Sequence, residues 1–367
     1  MYRILVINPG AMSTKVSLFE DENERRTSDL PAPEGKEGVL AQYDARRDAV
    51  WALLAEWGVA LSELDAVVGR GGMLSPIPGG TYYINLRMVQ EMLTPGEREH
   101  ASNLGVPLAW EIARAAQVPA FVVDPVSVDE FEPLARISGL PDIERRSLSH
   151  ALNLKAAARR AAQTLGRRYE EVKLVVAHLG SGISVSAHRH GRMIDVNQGL
   201  DGTGPFSPER AGGLPVGDVM RMAFSGRYAY EEMFRLITRR GGLMAHLGTN
   251  DAREVERRIA AGDEHARLIY EAMAYQIAKE IGLMATVLAQ GSGRDAEAKT
   301  CKSQSPVHAV VLTGNLAHSQ VLVAWIRERT AWIAPVLVFP GQMEMLAMAQ
   351  GALRVLRGEE KAKEYCP

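Results

Sequence analysis

Within residues 4–15, ILVINPGAMSTK, Asn8, Gly10, Ser13 and Lys15 fall in one short segment. Residues of these types suit a phosphate group: a glycine turn presents backbone N–H groups, while an amide, a hydroxyl and an ammonium add donors and positive charge. The familiar glycine-rich phosphate loop must feed a helix whose N-terminus meets the anion. Here residues 16–19 keep strand periodicity and end in the polar cluster 20–26, so the segment reads as strand, turn, strand. The theme recurs: 173–178, KLVVAH, is a strand, 179–182, LGSG, is the turn, and 183–188, ISVSAH, is the return strand. One such turn is weak evidence, but two similar lobes, each offering a backbone turn, can clamp a polyphosphate from both sides.

The remaining pattern supplies what must position these turns. Residues 21–47 are polar, with Pro31 and Pro33, and lead into a helical pattern from about 46 to 57. A buried strand at 66–69 runs into the loop 70–80, RGGMLSPIPGG, and a helix from about 100 to 116 feeds a strand at 120–123 that stops at Asp124 and Pro125. An alanine-rich helix at 151–165, closed by Gly166, reads as a connector between halves. Residues 201–213, DGTGPFSPERAGG, are too rich in Gly and Pro for a regular element and read as a functional loop. A long helix at 264–290, a polar insertion at 291–306, a strand at 307–312 with a turn at 313–315, a helix at 319–330, a strand at 336–339 and a helix at 344–357 complete the chain.

At 367 residues the chain is expected to form two domains. A formal net charge of -2 leaves no basic field for nucleic acid or an anionic membrane, so a small-molecule partner is expected. No run approaches the ~18 apolar residues of a membrane span. The apolar run 4–7 has no basic region or cleavage site beside it, and the only cysteines, Cys301 and Cys366, have no CxxC spacing. Together these point to a cytoplasmic protein without disulfides or structural zinc.

On VINPGAMSTK, VGRGGMLSPIPGGTY, HASNLG, VDPVSVDEF, SHALNLKA, VAHLGSGISV, DGTGPFSPERAGGLPVGD, VVLTGN and GALRVLRGEEKAKEY, the sequence resembles the acetate and butyrate kinase (acetokinase) family over nearly its whole length. The GRGG, DPVSVDEF and DGTGPFSPERAGG loops resemble its butyrate branch. The resemblance implies an α/β chain with a two-lobed, duplicated ribonuclease H-like (actin-like ATPase) fold and mixed five-stranded sheets flanked by helices. It places the first lobe at 1–150 plus about 340–367 and the second at 151–339. The implied activity is reversible transfer of the ATP γ-phosphoryl group to a short-chain carboxylate, with ATP/ADP as substrates and Mg2+ as cofactor. A homodimer or higher homo-oligomer is the expected assembly.

The resemblance assigns catalytic roles to Arg70, His178 and Asp124. A carboxylate needs no general base; the obstacle is bringing it against a polyanion, so cations and donors must dominate the site. Arg70 ends a buried strand and its fork can reach both carboxylate and phosphoryl oxygens. His178 resembles a histidine that donates to the phosphoryl group, although a histidine at a strand end is otherwise often structural. Asp124 stands where the family places an acid that orients substrate or metal; Asp before Pro is also a good turn former. Asn8, Gly10, Ser13 and Lys15 match phosphate positions in the first turn, and Gly180, Ser181 and Gly182 in the second. Thr313, Gly314 and Asn315 match the nucleotide motif. His100, Asn103 and His150 match positions lining the acyl and phosphoryl site, with Arg210 near a further arginine. Metal ligation is implied for Asn8, Asp124 and Glu344; Glu344 also reads simply as an acid favoured at a helix N-terminus.

Several positions depart from the family pattern. Ala11 and Met12 stand where hydroxyl residues are usual, Ser181 and Asn315 replace glycines, and Met343 belongs to a stretch less acidic than expected. Competing readings are a kinase for acetate, propionate or a branched acid such as isobutyrate, and, in a different class, an actin-like nucleotide-binding assembly protein. A sugar-responsive regulator of the same fold lacks its zinc cysteines and DNA-binding helices here.

Overall fold

The computed structural model describes residues 1–34, 38–94, 100–199, 202–289 and 306–366. The insertion read at 291–306, apart from Pro306, lies outside the described residues, as do Cys301 and Asp201. The chain divides into two compact units, Met1–Asp129 with Met343–Pro367, and Glu130–Gln342.

The first unit contains β1 (Arg3–Pro9), β2 (Ser13–Glu20), β3 (Asn23–Pro31), β4 (Ala66–Gly69), β5 (Thr81–Tyr83) and β6 (Ala120–Val123), in sheet order β3-β2-β1-β4-β6-β5. The second contains β7 (Lys173–Leu179), β8 (Ile183–Arg189), β9 (Arg192–Val196), β10 (Ala309–Gly314) and β11 (Val336–Pro340), in order β11-β10-β7-β8-β9. In both, three antiparallel strands form a meander whose first strand pairs in parallel with a fourth, and the fourth with a fifth. The repeated hairpin is therefore the visible part of a repeated sheet. The first unit adds β5, antiparallel to β6, as a sixth strand beyond the five expected.

Continuous apolar runs make the central strands. Ile4, Leu5, Val6 and Ile7 of β1 are all fully buried, as parallel strands covered on both faces require. By contrast β3, NERRTSDLP, is mostly exposed and lies at the sheet edge, which explains why 21–47 reads as a polar connector. Charged residues suit an edge that must not pair with another chain.

Helices Gly105–Ala116 and Glu344–Leu356 pack on the first sheet, and helices Ala151–Thr164 and Glu264–Ala289 on the second. A 3-10 turn, Ala101–Leu104, precedes Gly105–Ala116, where the sequence suggests one continuous helix from about 100. Residues 130–150, assigned from sequence to the first lobe, cluster with the second unit. Glu130 accepts from Lys155 Nζ at 2.8 Å and from the Met193 N–H at 2.7 Å, and Arg145 reaches Asp195 at 2.8 Å. The Lys155 and Glu130 side chains are only 2% and 6% exposed, so parting them would strand buried charges. Helix Ala151–Thr164 accordingly belongs to the second unit rather than linking two halves.

Candidate functional site

In the first unit, the register of the parallel strands aligns Ile7 of β1 with Gly69 of β4, and Gly69 with Val122 of β6. The next residues, Asn8, Arg70 and, one step further, Asp124, therefore stand at the carboxyl ends of three adjacent strands, where ligands of open α/β sheets bind. Asn8 is directly opposite Lys15 in the β1–β2 hairpin, so both side chains leave the same face. The Gly10 N–H donates to the Ser13 carbonyl at 2.7 Å and closes the turn. Ala11 and Met12 are exposed at its tip and bring no side-chain donor.

Arg70 is held by glycines. A Cβ on Gly69 would lie 2.1 Å from the Gly105 carbonyl oxygen, and one on Gly105 would lie 2.4 Å from the Arg70 carbonyl oxygen. Only two bare backbones allow the strand end to meet the start of helix Gly105–Ala116 this closely. The Arg70 N–H donates to the Ile7 carbonyl at 2.9 Å, and the residue is 7% exposed. Its Nη1 lies 3.4 Å from Glu344 Oε1, while Glu344 Oε2 accepts from Asn8 Nδ2 at 2.9 Å. Glu344, in the first turn of its helix, thus joins Asn8 to Arg70. Arg70 Nη1 is buried without a hydrogen-bond partner among the described residues, a rarity among buried polar groups.

Asn103 Oδ1 accepts from the Met73 N–H at 2.9 Å, and a Cβ on Gly72 would sit 2.3 Å from the same oxygen. Asn103 therefore shapes the loop that carries Arg70. His100 caps the 3-10 turn, its Nδ1 accepting from the Ser102 N–H at 3.2 Å. Asp124 is fully buried, with φ 39°, left-handed geometry that Asp tolerates at a cost. Its Oδ1 accepts from the Gly80 N–H at 2.7 Å.

In the second unit, His178 on β7 is the topological counterpart of Asn8: each stands two residues before the first glycine of its turn. His178 is 2% exposed; its Nδ1 meets Asn153 Nδ2 at 2.7 Å, and its ring stacks on His150 with centroids 4.0 Å apart. The amide of Asn153 donates, so the Nδ1 lone pair accepts and the ring proton sits on Nε2. Nε2 faces the turn, 2.9 Å from where a Cβ on Gly180 would be. His150 is oriented in turn by Ser184 Oγ, 3.0 Å from its Nδ1. Arg210 lies against this turn: its Nη1 would be 2.0 Å from a Cβ on Gly182, and it donates to the Gly199 carbonyl. Ser207 donates to the Ser181 carbonyl, tying the 202–213 loop to the hairpin.

Thr313, in register with His178, is fully buried at the end of β10. Gly314 has φ 93° and approaches Leu179 so closely that a Cβ would fall 2.3 Å from its carbonyl oxygen. It exchanges two backbone hydrogen bonds with Gly341, at 3.1 and 3.0 Å, a glycine the sequence reading passes over. Asn315 follows, exposed, at the start of a 3-10 turn.

Of His100, Asn103 and His150, grouped from sequence, Asn103 orders the loop that carries Arg70, His100 caps the 3-10 turn that holds Asn103, and His150 stacks on His178. Asn153 was missed because an asparagine in an alanine-rich helix carries no signal until the helix is docked on β7.

The oxygen donors proposed for Mg2+ fit a hard cation: the carboxylates of Asp124 and Glu344 and the amide oxygen of Asn8. Among the described residues no group of three or more His, Cys, Asp or Glu side chains forms a cage. A bound Mg2+ would complete its shell with water and phosphate oxygens. No helix of the described residues is long and apolar enough to cross a membrane.

Residues 144–296 match the model of the acetokinase family, a stretch that includes His150, Asn153, His178, the second hairpin and Arg210. Among solved structures, acetate kinase from Porphyromonas gingivalis superposes with a TM-score of 0.78 at 17% identity, covering 97% of this chain and 100% of that one. A propionate kinase from Francisella tularensis gives 0.72 at 19% identity over 96% and 99%. Acetate kinase from Entamoeba histolytica gives 0.75 at 14% identity over 97% and 100%. At these identities the likeness establishes architecture: the chain has the duplicated actin-like ATPase fold, and its residues 144–296 match the acetokinase family.

Proposed function

We propose that the chain is a short-chain carboxylate kinase that transfers the γ-phosphoryl group of ATP reversibly to butyrate. The observation that carries the reading is Arg70, a buried guanidinium at a strand end whose Nη1 has no hydrogen-bond partner among the described residues. It stands beside Asn8 at the end of the adjacent strand and the Glu344 carboxylate at a helix N-terminus, in a chain whose residues 144–296 match the acetokinase family.

In this reaction a carboxylate oxygen attacks the γ-phosphorus and forms the acyl P–O bond. The bond from that phosphorus to the β,γ-bridging oxygen breaks, and its electron pair leaves with ADP. No proton is transferred, so the protein's tasks are alignment and charge stabilisation. Arg70 supplies a planar fork to the carboxylate and the transferring group. His178 Nε2–H donates to a phosphoryl oxygen as charge spreads over it. Asn8, Ser13, Lys15 and the turn 180–182 bind the phosphates, and Thr313, Gly314 and Asn315 lie on the nucleoside side. Mg2+, when bound, would neutralise phosphate oxygens through Asn8, Asp124 or Glu344.

The role of Asn153 gives a test of the tautomer. In Asn153→Asp a carboxylate faces His178 Nδ1 and draws the proton there. The neutral ring then presents Nε2 as an acceptor instead of a donor. The variant is expected to lose about 10- to 100-fold in kcat, given that one oriented donor is worth ~10²–10³. Turnover equal to the parent's would contradict the tautomer assignment.

Preference for butyrate rests on the resemblance of the loops 69–72, 124–131 and 201–213 to the butyrate branch. One methylene is worth about 10- to 200-fold in such a pocket. Trapping acyl phosphate with hydroxylamine across straight and branched C2–C5 acids should give the highest kcat/KM at butyrate. A maximum at acetate, propionate or isobutyrate would replace butyrate as the substrate.

A further inference from the structure

Arg46, on helix Tyr43–Glu56, is 2% exposed and lies under the β1–β2 turn. Its five N–H donors make five hydrogen bonds. Nη1 donates to the Ser13 carbonyl at 3.2 Å and to Thr14 Oγ1 at 2.7 Å. Nη2 donates to the Gly10 carbonyl at 3.0 Å and to Gln42 Oε1 at 2.8 Å, and Nε donates to Gln42 Oε1 at 3.1 Å. Every acceptor is neutral. Among the described residues no carboxylate pairs with Arg46, although the chain carries 44 Asp and Glu.

A guanidinium is never discharged at ordinary pH, so this is a permanent buried cation with no counter-ion among the described residues. Burial lowers its pKa and no acid opposes that effect. Such a charge costs several kcal/mol unless something compensates it, and neutral acceptors do so only in part. The carbonyls it binds, Gly10 and Ser13, are those that frame the turn. With these oxygens tied to a cation, their negative ends are offset beneath the turn.

We infer that Arg46 is the positioning residue and fixed charge of a phosphoryl-anion site on the β1–β2 turn, its missing counter-charge being the polyphosphate that binds there. The inference rests on the reading that this turn faces phosphate. It also accounts for Ala11 and Met12: the donors absent from the tip are offset by charge beneath it.

Calorimetry with inorganic tripolyphosphate, using the whole chain, tests the assignment. Arg46→Gln keeps a polar partner for part of the turn but removes the charge. It is expected to weaken tripolyphosphate at least ~10-fold, since charge-assisted hydrogen bonds are the strong ones. Adenosine affinity should stay as in the parent, and Arg46→Lys should recover part of the loss by restoring charge without the fork. Unchanged tripolyphosphate affinity in Arg46→Gln would overturn the inference, and so would an equal fall for adenosine, which marks a purely structural lesion. Should Arg46→Gln fail to fold, hydrogen exchange on the parent decides: tripolyphosphate should slow the amides of residues 10–14, and unchanged exchange there would overturn the assignment. If tripolyphosphate binding depends on Arg46 but no acid yields an acyl phosphate, the anion site stands and the kinase reading fails. Acyl phosphate formation with Arg46-independent binding gives the converse.

Discussion

Arg70→Ala is expected to lower kcat for acyl phosphate formation by about 10²- to 10³-fold, within the range by which a phosphoryl-transfer arginine contributes. The loss arises because two anions must meet. Without the guanidinium, the incoming carboxylate faces both the γ-phosphate and the Glu344 carboxylate unscreened. Folding should be nearly indifferent, since Arg70 Nη1 makes no hydrogen bond among the described residues and its one ion pair, at 3.4 Å, is a loose one. A fall in Tm of the first unit of no more than about 4 °C is expected, corresponding to ~1 kcal/mol in a unit of about 150 residues. Arg70→Lys should stay well below the parent, because an ammonium cannot engage two oxygens in one plane. Near-normal turnover in Arg70→Ala, or an unfolded variant, would assign this arginine a structural role instead.

His178→Ala should produce a fall of similar size, about 10²- to 10³-fold in kcat, with KM for the acid changing far less. The donor acts on charge that develops during transfer rather than on the bound acid. Here a stability cost is also expected, on the order of 1–3 kcal/mol, because Asn153 is fully buried and loses its hydrogen bond to the imidazole. His178→Gln separates the two effects: its amide can donate and should retain more turnover than alanine. Should the folded fraction of His178→Ala turn over like the parent, the histidine would be only a core residue stacked on His150.

Much of this arrangement is legible in the sequence because it is written in local signals. The strand runs at 66–69 and 120–123 are continuous apolar segments ended by Gly-Arg and Asp-Pro, and the strands β4 and β6 occupy those same residues. The two hairpins are recognisable as a pair because each strand, glycine turn and return strand lies within about sixteen residues. Where the reading falls short, the determinants are tertiary. β3 is held by the open edge of β2 rather than by apolar periodicity, so its charges disguise it. Residues 130–150 belong with the second unit because of Lys155, Asp195 and Met193, partners distant in sequence. Arg46 resembles any helix arginine with a solvated head until the helix docks under the turn. Asn153 acquires meaning only from the imidazole it meets.

The two units show how a duplicated fold carries different side chains at equivalent positions. Equivalent hairpin positions carry Asn8 in one unit and His178 in the other. Equivalent ends of the fourth strand carry Arg70, a charged fork, and Thr313, a buried hydroxyl. The strand–turn–strand backbone is common to both units, whereas the side chains at its equivalent positions differ.

The central claim is that the γ-phosphoryl group passes to a carboxylate. Phosphorus NMR of the chain with ATP, Mg2+ and a C2–C5 acid mixture reads this directly. An acyl phosphate resonance growing in step with ADP, and collapsing to inorganic phosphate on addition of hydroxylamine, is the predicted result. ADP and inorganic phosphate released from the start, without any acyl phosphate, would contradict the account and leave a nucleotide hydrolase of the actin-like type.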